Sequence, residues 1–274
     1  MGQLLHTLPE GKPVRGVTLL AGEIYLVRRK ARDQVEVYDV TTYRLQRCLT
    51  VPDARVFTDM TSCEHNRCVY IGGDFAECVH RLDVQGAVTQ WAVNDEPRGL
   101  SVNAAHNVLV TCPSARKIKE FSSHGHLLRE LTLPDDVIRP RHAIQTRSGQ
   151  FIVCRGRHGN PVHRVCMMSA DGRHIVHSHG GQPGSDTDQY HAPFHLAVDD
   201  NESVFVADSG NRRVTLLSPT LEYVGQVVSR DQLKRGYPVR LCLDTQRRHL
   251  YVAVNEWNEE QREYTPGRVA VFTV

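Results

Sequence analysis

A proline followed within two residues by Gly, His or Arg opens an apolar stretch five times along this chain. It does so at PVRGVTLL from Pro13, PRGLSV from Pro97, PRHAIQ from Pro140, PFHLAV from Pro193 and PVRLCL from Pro238. The gaps are 84, 43, 53 and 45 residues, and the first is two periods of 42. The copy that falls inside it is ARVFTDMTS, beginning at Ala54, where the proline is lost. Each copy continues with a second apolar run (EIYLV, RCVYIGG, NVLVT, QFIVC, SVFVA, HLYVAV) and a third (QVEVYDV, CVHRLDV, KIKEF, HRVCMM, RRVTLL, GRVAVF). A fourth closes the first five: YRLQRCLTV, VTQWAV, HLLRELTL, HIVHSHG and EYVGQVV.

Four short strands per unit at a period of 40–50 residues, with turn residues between them, is the pattern of a β-propeller blade. The sixth copy ends at Val274 after its third strand, while GQLLHTLPEGKPVRG at the start matches GHLLRELTLPDDVIRPR, a fourth strand with the next entrance. A strand at about Gln3–Leu8 therefore completes the last blade, which leaves the ring no open seam. The expectation is an all-β chain: one six-bladed propeller of four-stranded antiparallel blades over residues 1–274. The blades are placed at about 12–50, 54–93, 97–133, 139–181, 191–229, and 237–274 plus 3–8.

Composition narrows the function classes only a little. A net charge of +2 makes any basic surface a local matter. No run of 18 apolar residues is present, so a membrane partner is not expected. The N-terminus lacks a basic region followed by an apolar one, so we expect a cytoplasmic protein. In that compartment its 8 cysteines stay reduced, and several already sit inside apolar runs. Cys63 and Cys68, with His65 between them, do not have zinc-knuckle spacing and read as a turn between strands.

The fifth copy, FHLAVDDNESVFVADSGNRRVTLLSPTLEYVGQ, resembles an NHL repeat: a proline, an apolar first strand, a V-A-D second strand, then N-x-R leading the third. The other copies fit more loosely. The resemblance implies a propeller like the C-terminal domain of TRIM-NHL ubiquitin ligases, which recognises RNA or protein. Arg213, at the N-x-R position, is then expected to join neighbouring structure and not a ligand. More distantly, the chain is similar to the propeller of the peptidylglycine amidating lyase, whose entrance histidines hold zinc around the axial channel. His142 and His195 stand at entrance positions here, but two residues after the proline instead of one, and the corresponding positions elsewhere are Gly16, Gly99 and Arg240. Ser209 stands where that lyase has its catalytic tyrosine. Two histidines and an arginine do not make a three-ligand zinc site. We therefore expect His142 and His195 to hydrogen-bond within the channel mouth, with no metal, no cofactor and no catalysis. A zinc-dependent lyase is the alternative.

The loops joining strand two to three, and strand four to the next strand one, share a single face of a propeller. They carry Arg98, Arg139, Arg141, Arg155, Arg157, His158, Arg212, Lys234, Arg235 and Arg240. Guanidinium forks suit phosphate and carboxylate. The expected function is a non-catalytic recognition scaffold, a monomer as an isolated domain, that binds RNA or an acidic protein segment through this basic face. Acidic residues in the same loops, such as Asp135 and the stretch Glu256–Glu263, are expected to neutralise some of these cations.

Overall fold

In a computed structural model, the protein is described over residues 1–29, 33–52, 54, 56–73, 77–156, 159–258 and 263–274. Six four-stranded antiparallel sheets form the six blades of a propeller. Their innermost strands run Val14–Leu20, Phe57–Cys63, Gly99–Val102, Pro140–Gln145, Pro193–Val198 and Gly236–Asp244 for blades 1 to 6. These pack against one another from blade to blade around the axis.

The alternation of each strand explains its composition. In blade 5 the second strand, Val204–Asp208, turns Val204 and Val206 into the seam with blade 4, and Phe205 and Ala207 into the seam with blade 6. A strand buried on both faces must be apolar throughout, which is why VFVA contains no polar residue. Outer strands have one covered face, and their other face leaves Leu45, Leu127, Val176 and Val224 exposed. The hydrophobic core is accordingly six clusters, one per seam.

The ring closes as the sequence predicts. Strand Leu4–Thr7 pairs antiparallel with Glu263–Thr273, the third strand of blade 6. Backbone bonds from Leu8 to Val269 (2.8 Å) and between Gly11 and Gly267 extend the seam, and Leu8 is fully buried. Cys63 and Cys68 face each other across a hairpin turn, and all eight cysteines are free thiols. Burial pushes the Cys154 and Cys242 thiols up to about 12, so they behave as small hydrophobes.

Two features differ from the sequence reading. The acidic stretch after Glu256 is not simply a loop: the second and third strands of blade 6 stay paired as far as Asn258↔Glu263, and residues 259–262 lie outside the described residues. Trp257 and Tyr264 are strand formers placed opposite one another, which favours continuing the ladder. One helical turn, Arg230–Leu233, precedes blade 6, because Ser229 and Gln232 form a capping box.

Candidate functional site

The inner strands share a register that decides what the channel contains. Gly16, Gly99, His142, His195 and Arg240 pair with Val27, Thr111, Cys154, Ala207 and Ala253, the corresponding place in each second strand. In blade 2 the ladder breaks between Phe57 and Met60, and Asp59 occupies that gap. Each blade thus sends one residue to the axis, in the order Gly, Asp, Gly, His, His, Arg. The glycines are forced by proximity. A Cβ on Gly16 would lie 2.6 Å from Met60 Cγ, and one on Gly99 would lie 2.7 Å from the Arg141 carbonyl.

The remaining four residues form a closed polar cluster. Arg240 donates from Nε to Asp59 Oδ1 (2.6 Å), from Nη1 to the Val239 carbonyl (2.7 Å), and from Nη2 to the Thr58 carbonyl. The other oxygen of Asp59 accepts the Leu100 amide at 2.9 Å and lies 3.4 Å from His195 Nε2. Because Leu241 donates its amide to His195 Nδ1 (3.3 Å), the proton of that ring is on Nε2, facing Asp59. His142 Nε2 donates to the Leu100 carbonyl (3.0 Å), and the two imidazoles stack with centroids 3.8 Å apart. Burial works to raise the Asp59 carboxyl, but Arg240 with His195 and His142 outweighs it and holds the group well below the usual carboxylate range. Burial pushes the His142 imidazole down to about 3 and lowers His195 as well. At neutral pH the cluster is one ion pair beside two neutral rings.

The potential ligand atoms of Asp59, His142 and His195 lie within 4.8 Å of one another, which prompts a test against a metal ion. They do not fit one. His142 Nε2 and His195 Nε2 carry protons, His195 Nδ1 is taken by a backbone amide, and both Asp59 oxygens are engaged, so His142 Nδ1 alone is left as a donor, too few for a site. A cation would also have to displace the guanidinium of Arg240.

Above this cluster a cavity of about 570 Å³ opens at the channel mouth. The residues that shape it are bulge residues. The ladders skip Arg15, Arg141, Phe194 and Val239, the residue just before the axial position in blades 1, 4, 5 and 6, and all four line the cavity. A bulge re-aims a side chain that regular pleating would direct elsewhere. Arg29, Arg98, Arg240, His191 and Tyr237 join them. The Arg141 and Arg240 guanidiniums lie 4.8 and 5.1 Å from the Phe194 ring centroid, an arrangement that holds both in place. Among the described residues, five arginines line this bowl and no Asp or Glu does.

The residues predicted from sequence fall into four groups. Arg98 and Arg141 line the bowl. Arg139, Lys234 and Arg235 are exposed, and Arg212 lies over Tyr237 at 5.2 Å. Arg157 and His158 lie outside the described residues. Arg155 and Arg240 are corrections. Arg155 is the last residue of the second strand of blade 4, only 3% exposed, and not a loop residue. Arg240 is an axial strand residue, 5% exposed, and its charge is neutralised by Asp59. His142 and His195, read as residues of the channel mouth, are hydrogen-bonded inside the channel beneath it. Arg116 pairs with Asp135 and Arg98 with Glu96, as surface neutralisation predicts. Arg213 is structural: it binds Asp208 (2.8 Å) and the carbonyls of Ser185, Asp186 and Gln189. Sequence reasoning missed Asp59 and Arg15. Counting one period of 43 from Gly16 reaches Asp59 directly, and Arg15 stands before Gly16 just as Arg141 stands before His142.

No protein-family model matches the chain, and no curated protein matches it. Among solved structures, it is similar to virginiamycin B lyase from Staphylococcus aureus, with 10% identity, 100% of this chain and 99% of that one covered, and a TM-score of 0.64. It is also similar to hydrazine synthase of Kuenenia stuttgartiensis (13% identity, 96% and 97% covered, TM-score 0.63). A protein of unknown function from Bacteroides caccae matches at 14% identity over 84% and 85% of the two chains, with a TM-score of 0.60. Identities this low establish the propeller fold and nothing about chemistry.

Proposed function

We propose that this protein is a non-catalytic recognition scaffold that takes an acidic segment of a partner protein into the mouth of its channel. The observation that carries this reading is a bowl with no Asp or Glu among its described lining residues, where Arg15, Arg29 and Arg141 stand beside Arg98 and Arg240, the last two paired with Glu96 and Asp59. Its volume suits one or two side chains, not a folded surface, and guanidinium forks recognise carboxylates in two-pronged fashion. Exposed Arg139, Lys234 and Arg235, which directly precede the innermost strands of blades 4 and 6, add attraction along an extended anionic chain. The NHL resemblance of the fifth blade supports a recognition role of the kind TRIM-NHL propellers have. The non-catalytic part of the reading is supported by the axial cluster, where Arg240 neutralises Asp59 and both imidazoles are bonded to backbone.

The test is titration of a labelled glutamate-rich peptide, with a single-stranded RNA of equal length beside it. Arg29→Gln with Arg141→Gln should weaken peptide binding by about tenfold or more, since a hydrogen bond to a charged group contributes about 1.5–3 kcal/mol. The fold, followed by circular dichroism, should be retained. RNA binding with a salt slope that falls by about 0.7 per removed arginine would replace the peptide reading with RNA recognition. Failure of both ligands to bind at low salt would overturn recognition of a polyanion at this face.

A further inference from the structure

At the seam between blades 3 and 4, apart from the bowl, two guanidinium groups face one another. Arg155 ends the second strand of blade 4 and is the register partner of Arg164 on the third strand. Val153 and Cys166, two residues away on the same strands, pack into the seam with blade 3, so strand alternation turns both arginines toward that seam. Arg155 is 3% exposed, and its Nε and Nη1 have no hydrogen-bond partner. The Nε of Arg164 is likewise buried and unpartnered. Asp136 approaches to 3.8 Å from Arg164 Nη2, beyond hydrogen-bond distance, and its side chain is largely exposed.

Two other blades show how this place is normally closed. In blade 1 the register position of Arg155 is held by Arg28, which binds Glu36 and the carbonyls of Pro9, Lys12 and Gly267. In blade 5 it is held by Asp208, which binds Arg213 and Asn211. Blade 4 instead sets a cation opposite a cation, an unfavourable cross-strand pair, and leaves three buried donors unused.

We propose that Arg155 and Arg164 hold a small monovalent anion of halide size between the second and third strands of blade 4, at its seam with blade 3. The charge follows from the local balance: two guanidiniums less the Asp136 carboxylate leave one positive charge. The size follows from burial, because an almost inaccessible Arg155 beside an Arg164 side chain 22% exposed restricts any occupant to a small ion and excludes a metabolite.

The experiment is thermal unfolding in chloride, with ionic strength held constant by gluconate, an anion too bulky to enter. Above its dissociation constant, chloride should raise the melting temperature of the wild type by about 2 °C per tenfold increase. Arg155→Met should lose that dependence while remaining folded. Equal chloride responses from wild type and variant would overturn the proposal. If Arg155→Met does not fold, wild-type crystals grown in bromide decide the matter by anomalous scattering. A bromide peak within hydrogen-bond reach of both guanidiniums supports the site, and water molecules alone at these donors refute it.

Discussion

Replacing Arg240 by Met tests whether the axis of this propeller is held by charge. Asp59 is 0% exposed and its carboxylate is bound by the Arg240 Nε at 2.6 Å, with the Leu100 amide on the other oxygen. Removing the guanidinium strands a buried anion and also orphans the Thr58 and Val239 carbonyls. Breaking a buried pair in this way costs about 3–5 kcal/mol. With an unfolding entropy of about 2.1 cal/mol/K per residue, that is a fall of about 5–9 °C in melting temperature for a chain of this length. Asp59→Asn should cost a similar amount, because it leaves Arg240 buried and unneutralised. The double variant Asp59→Asn/Arg240→Met should cost clearly less than the two single changes together, since no uncompensated charge remains. The assay is a double-mutant cycle by urea and thermal unfolding. Melting of Arg240→Met within about 2 °C of wild type, or strict additivity in the cycle, would show that the pair is not what holds the axis.

Deleting residues 1–9 removes the strand that closes blade 6 and the buried Leu8, worth about 2 kcal/mol by area alone, and exposes the edge at Val269–Phe272. Melting should fall by at least about 4 °C with visible aggregation, and unchanged melting would count against closure through this strand. Acid should weaken the fold through His142. Its folded-state value of about 3 lies below the ordinary histidine value, so the stability it permits is complete above about pH 6.5 and is lost as pH falls toward 3. At pH 5 the loss from this group is about 2 kcal/mol, and urea midpoints at pH 7.5 and 5 should differ by less in His142→Gln.

The fold was legible because a propeller repeats one local problem six times. Five of the six blades show an apolar run that begins at a proline, and a single misplaced strand cannot shift the period. The site was less legible because it depends on single-residue register. Arg155 reads as a loop residue when a strand boundary is placed one position early, and arginine is seldom assigned to an interior. Asp59 was hidden because blade 2 lacks the proline that marks the other entrances, although its spacing from Gly16 matches the period. Among the bowl arginines Arg15 was missed, since it is the skipped ladder position that directs it, like Arg141, to the mouth instead of into a seam. No periodic pattern reports a bulge before the strands are paired. The same geometry separates stability from recognition. The axial position of each blade is buried and must be a glycine or be satisfied by its neighbours, whereas in every blade except the second the residue before it lines the mouth and is bound by no such requirement. A chain can therefore change what its channel mouth attracts, from Arg15 to Arg141 to Phe194, without altering the ring beneath. That is why the proposed recognition of an acidic segment rests on the bulges and not on the strands.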